Sequence, residues 1–92
     1  MAVMNESIIE KELEFLNNWV YEDNAIEKNY SFKNFAEALA FINKVGVIAE
    51  KMNHHPELFN VYSKVKLRLT THDANGVTHK DFDLASAIDA IA

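Results

Sequence analysis

The sequence predicts an α+β fold in the order α-β-β-α-β-β-α, a four-stranded antiparallel sheet with helices packed on one face. Three observations carry this. Apolar residues recur at helical spacing in three stretches, and four shorter runs read as strands. The strands come in pairs around tight turns, which makes each pair an antiparallel hairpin. No linker, repeat or charge block divides the chain, so residues 1–92 are expected to form a single domain.

The first helix is expected over Ser7 to Leu16, where Ile9, Leu13 and Leu16 share a face away from Glu6, Glu10 and Glu14. Glutamates in the first turns also suit the helix dipole. Trp19-Val20-Tyr21, a turn at Glu22-Asp23-Asn24, and Ala25 to Phe32 form the first hairpin. In its second strand Ile26, Tyr30 and Phe32 share one parity, and Lys28 is the exception on that parity. The longest helix begins at Ser31 or Lys33 and runs to about Met52. It carries two apolar rows: Phe35, Leu39, Ile42, Gly46 and Ala49; and Ala38, Phe41, Val45, Ile48 and Met52. That arc is wider than one contact needs, so one row is expected on the sheet and the other, taken as the second, on a partner.

The helix must stop near Asn53-His54-His55-Pro56, because proline cannot continue the ladder and restricts the residue before it. Phe59 to Tyr62 and Lys64 to Thr71 are the second strand pair, around a tight turn at Ser63. Val65, Leu67 and Leu69 should lie under the helices, while Lys66, Arg68, Thr70 and His72 face the other way. Asp73 to Gly76 is a loop. Thr78-His79-Lys80-Asp81 resembles a capping box with aspartate in place of glutamate, opening a last helix with Leu84, Ala87, Ile88 and Ile91.

Composition narrows the function. Hydrophobic residues make up 49% and charged residues 25%, ordinary for a globular chain. The net charge of −5 disfavours nucleic acid as a partner, since phosphate binding wants a basic surface. Without cysteine there is no disulfide and no thiolate chemistry. The longest aliphatic run, Val45 to Ala49, is far short of the roughly 20 residues that span a bilayer. No signal-like segment opens the chain, so a cytoplasmic protein without membrane contact is expected. Gly46 and Gly76 stand alone and make no phosphate loop, and no nucleophile elbow is present.

Histidines are the notable feature: His54, His55, His72 and His79. Imidazole titrates near neutral pH, so paired histidines can serve as general acid and general base. By itself His-His-Pro also reads as a polar helix terminus. A metal site is a further alternative, since Glu50 and His54 are spaced i, i+4 and His72 is a possible third ligand. His79, at the start of the last helix, is expected on the surface.

Seven positions at fixed spacing separate these readings: Glu50-x3-His54-His55-Pro56-x5-Tyr62-x9-His72-x8-Asp81. With Phe32 to Ala38, Asn60 to Val65 and Leu69 to Asp73 around them, they resemble the pterin-4a-carbinolamine dehydratase family. The resemblance runs from about Trp19 to the C-terminus and loosely through the first helix. It implies loss of water from 4a-hydroxytetrahydropterin to give quinonoid dihydropterin, without metal or cofactor. It also implies recycling of tetrahydrobiopterin after aromatic amino acid hydroxylation, coupled to phenylalanine hydroxylase.

By matching position, His54, His55 and His72 correspond to the family's active-site histidines. His54 and His72 are assigned to proton transfer and His55 mainly to holding substrate. Glu50 and Asp81 correspond to carboxylates near the pterin, with Asp81 expected to orient His72. Asn53 and Thr71 are expected beside the ring and Trp19 at the pocket edge. Asn53 stands where some members have aspartate, Leu58 where animal members often have tryptophan, and Asn18 where glycine is common. The resemblance also implies a homo-oligomer, dimer or tetramer. The alternative function is a protein-interaction module, similar to the transcriptional dimerisation cofactors among animal relatives, that uses the long helix.

Overall fold

A computed structural model describes residues 2–92. The elements follow the expected order: α1 (Glu6–Leu13), β1 (Val20–Glu22), β2 (Ala25–Ser31), α2 (Phe35–Met52), β3 (Glu57–Val61), β4 (Lys64–Leu69) and α3 (His79–Ile91), with a short 3-10 turn at His72–Ala74. The strands pair antiparallel in the order β1-β2-β4-β3. Val65, Leu67 and Leu69 are buried and join Ile26 with Ile9, Phe41, Val45, Leu84 and Ile88 in one apolar cluster, which places the helices on a single face. No helix among the described residues is long and apolar enough to cross a membrane.

Turn chemistry sets the hairpins. Glu22 pairs with Ala25, leaving Asp23 and Asn24 as a two-residue loop. Both have positive φ (51° and 63°), the mirror-image turn that matches strand twist and that aspartate and asparagine tolerate. In the second hairpin Val61 pairs with Lys64, so Tyr62 belongs to the turn rather than to β3. Tyr62 is left-handed at φ 51°, and the Asn60 amide braces it by donating to the Tyr62 and Lys64 carbonyls.

The first helix ends at Leu13, three residues before Leu16. Glu14, Phe15 and Leu16 bond to carbonyls three residues back, a tightened last turn, and Phe15 is 84% exposed. Asn18, at φ 64°, then reverses the chain in the left-handed conformation that asparagine tolerates. The second helix starts at Phe35 rather than Ser31 or Lys33, because the Asn34 side chain caps it by accepting the Glu37 N–H.

The row of α2 assigned to a partner packs largely on the core: Ala38, Phe41 and Val45 are buried, although Met52 is exposed. The other row is split: Phe35 and Leu39 are 44% and 41% exposed, whereas Ala49 is buried too. The sheet side decides this: the Phe41 ring packs at a tilt against Tyr30 and Phe32, with ring centroids 4.5 and 5.1 Å away.

Lys28 faces the helices because a carboxylate waits there. Its ammonium lies 3.2 Å from Asp89 of α3, and both side chains are nearly buried. Asp89 also accepts the Trp19 indole N–H and the Asn17 backbone N–H, each at 2.9 Å. On the outer face Arg68 lies between Glu27 and Glu57 on the flanking strands, at 2.9 and 3.4 Å.

Among the described residues the Tyr30 hydroxyl is buried without a hydrogen-bond partner. Burial, and secondarily the Asp89 charge, holds its phenol above the ordinary value of 10.0. The folded chain therefore keeps this proton more firmly than the unfolded chain. The resulting stabilisation is complete below about pH 10 and is lost as pH rises beyond it. Tyr30→Phe should match or exceed wild-type stability at neutral pH, by up to about 1 kcal/mol. It should also lose less stability than wild type between about pH 9 and 11, measured by urea unfolding.

Candidate active site

The site begins where α2 stops. Asn53 is left-handed (φ 52°), and the His54 N–H returns to the Ala49 carbonyl at 3.1 Å. This six-to-one bond closes the helix end, and Pro56 prevents its continuation. The reversal aims His54 back toward the start of α3. There its Nε2 meets the Asp81 carboxylate at 2.6 Å.

Asp81 is fully buried. It is the third residue of α3 and closes the capping box predicted at Thr78, accepting the Thr78 N–H at 2.9 Å through Oδ2. The same oxygen accepts the Thr71 hydroxyl at 2.9 Å, and the Thr71 and Thr78 hydroxyls lie 2.7 Å apart. Every donor and acceptor in this buried cluster has a partner, as burial requires.

An open polar cavity of about 340 Å³ lies beside it, lined by Asn53, His54, His55, Thr70, Thr71, His72, Asp73 and Lys80. His54 is nearly buried, whereas His72 and His55 are exposed. His55 bonds the Glu50 carboxylate, and both of these side chains are largely in water. Neighbouring histidines thus have different surroundings: one held by a buried carboxylate, the other by a solvated one.

Five of the expected site residues therefore come together around this cavity: Asn53, His54, His55, Thr71 and His72. Asp81 sits behind them, but it orients His54 rather than His72. The 3-10 turn at His72–Ala74 leaves the His72 side chain exposed, away from the buried carboxylate. Glu50 reaches the site only through His55. Trp19 does not join it. Its indole is 4% exposed, bonds Asp89, and borders a separate cleft with Glu10, Leu13, Glu14, Val20 and Tyr21. β1, which Trp19 precedes, is an edge strand separated from β4 by β2, and Asp89 holds the indole there.

Glu50, His54 and His72 do not converge on a shared point, and no group of three metal-binding side chains is found among the described residues. His79 is exposed, as expected. Thr70, Asp73 and Lys80 line the cavity without having been singled out. Thr70 shares the polar parity of the 64–71 strand that leads to His72, and Asp73 closes the Leu69–Asp73 stretch that supports the resemblance, whereas Lys80 carries no such signal.

Removing the buried carboxylate strands three donors. Asp81→Ala should lower stability by about 3 kcal/mol. Glu50→Ala, which breaks a solvated pair, should change it by less than about 0.5 kcal/mol. Urea midpoints of the two variants check both expectations.

Comparison with known proteins bears directly on this geometry. The family model described as pterin 4 alpha carbinolamine dehydratase matches residues 2–91. A provisionally named pterin-4-alpha-carbinolamine dehydratase from Sulfolobus acidocaldarius is 43% identical over 88 residues, covering 96% of this chain and 97% of its own. A crystal structure described as a transcriptional coactivator/pterin dehydratase from Brucella melitensis superposes with a TM-score of 0.92 at 39% identity, covering 98% of both chains. A pterin dehydratase-like protein identified as a RuBisCO assembly factor in the alpha-carboxysome shares the fold alone, with a TM-score of 0.68 at 19% identity, over 83% of this chain and 90% of its own. With nearly its whole length matched, the chain belongs to the pterin-4a-carbinolamine dehydratase family.

Proposed function

We propose that this protein is a 4a-hydroxytetrahydrobiopterin dehydratase, a hydro-lyase working by histidine acid–base catalysis. The observation that carries the reading is the polar cavity bordered by His54, His55 and His72, with His54 held by a buried carboxylate. The reaction breaks the C4a–O bond and removes the N5 proton as the C4a–N5 double bond forms. The departing hydroxyl takes up a proton and leaves as water. One protonated and one neutral imidazole supply both transfers. His54 and His72 fill these roles, and His55, steadied by Glu50, holds the pterin with Asn53 and Thr71. No metal or redox cofactor enters the balance.

In this reading the enzyme works in the cytoplasm, on the product that an aromatic amino acid hydroxylase such as phenylalanine hydroxylase releases. It thereby supports tetrahydrobiopterin recycling. The domain spans residues 1–92 and assembles as a homo-oligomer, with Phe35 and Leu39 of α2 among the apolar residues that a second copy would cover.

A second reading, a protein-interaction module, is favoured by that same exposed α2 row and by the coactivator description of the Brucella relative. The row shares no residue with the cavity lining, so one substitution separates the two. Wild type should accelerate water loss from freshly generated 4a-hydroxytetrahydropterin, followed by ultraviolet absorbance. His54→Ala and His72→Ala should each lose about 100-fold or more of that rate. Light scattering should give both variants the wild-type mass, above that of a single chain. A folded wild type that does not accelerate the reaction would exclude the enzyme.

A further inference from the structure

We propose that two buried hydroxyls, those of Thr71 and Thr78, are positioning residues that lock His54 in one tautomer. In that tautomer Nε2 carries the proton and Nδ1 is the nitrogen left to meet substrate. The proposal rests on the dehydratase reading only for its effect on turnover.

Donor counting sets the direction of every bond. An ionised carboxylate accepts and cannot donate. Asp81 Oδ1 must therefore take its proton from His54 Nε2, 2.6 Å away. Asp81 Oδ2 takes the Thr71 hydroxyl proton and the Thr78 N–H, each at 2.9 Å. A threonine hydroxyl has one proton, and that of Thr71 is now committed. The 2.7 Å contact between the two threonine oxygens must then run from Thr78 to Thr71. Thr78 Oγ1 accepts in turn from the Lys80 N–H at 3.3 Å.

All the side-chain protons thus point from Thr78 through Thr71 to Asp81. Thr71 is 5% exposed at the cavity edge, and Thr78 and Asp81 are fully buried, so most of this chain of bonds is shielded from water. The two bonds on Oδ2 prevent the carboxylate from rotating, which keeps Oδ1 aimed at Nε2. Thr78 accordingly has two separable duties: its oxygen caps α3, and its proton polarises Thr71.

Nitrogen-15 NMR of the substrate-free protein tests this. Neutral wild-type His54 should show the proton on Nε2, with that N–H exchanging slowly with water. Thr71→Val, which leaves the helix cap in place, should speed the exchange and populate the other tautomer. Thr78→Val should do the same, and Thr78→Ser should restore the wild-type spectrum. Turnover by the two valine variants should fall on the order of tenfold in kcat, with KM little changed for Thr78→Val, whose side chain does not line the cavity.

A wild-type His54 protonated on Nδ1 would overturn the proposal without any variant. Valine variants that are less stable yet keep the wild-type tautomer and exchange rate would also overturn it, leaving the threonines a helix cap only. The spectra need no pterin, so failure of the dehydratase reading would appear separately, as absent turnover with the tautomer still locked.

Discussion

A carboxylate taken wholly out of water keeps its charge only where protein donors replace the water it gives up. Asp81 meets that condition with donors from three segments: His54 after α2, Thr71 after β4, and Thr78 at the start of α3. His54 and Asp81 are 27 residues apart in the chain, and their bond ties the end of one helix to the beginning of another. The cavity lies on that junction, bordered by His54 and Thr71 together with Lys80 of α3's first turn. A residue expected to cap α3 and to orient His72 does the first and holds the His54 imidazole instead.

The far end of α3 follows the same rule. Asp89 lies in its last turns, where the helix dipole disfavours an acid. Lys28, the Trp19 indole and the Asn17 backbone offset this. The helix is therefore pinned at one end to the site and at the other to the first hairpin. A catalytic constellation needs this kind of rigid support, because small displacements of a proton donor cost much of its effect. The exposed imidazoles of His55 and His72 have no buried carboxylate to hold them in the single chain, so the three cavity histidines are held unequally.

Much of this was legible in the residues. Period-two alternation from Lys64 to Leu69 and the turn residues Asp23 and Asn24 pointed to two antiparallel hairpins, which the structure has, with turns that differ by one residue from those expected. The capping box at Thr78 and the helix stop before Pro56 were equally plain, since both are local backbone chemistry. The spacing that carried the family resemblance contains His54, His55 and His72, which now line one cavity with Asn53 and Thr71, the two residues the resemblance added. Three expectations failed for a common reason. Which row of α2 is buried, which histidine Asp81 holds, and where Trp19 goes all depend on contacts between distant segments.

Local sequence determined the elements, their order and the residue types capable of proton transfer. Hydrogen bonding along the backbone and hydrophobic periodicity act within a few residues, and those rules are written in the chain. Only the tertiary structure decided the pairings. Packing of Phe41 on Tyr30 and Phe32 rotated α2, and the left-handed Asn53 turned His54 rather than His72 to the buried carboxylate. Asp89 drew Trp19 away from the histidines. Spacing supplies candidates, but a buried charge accepts only the donors that the fold brings within about 3 Å of it.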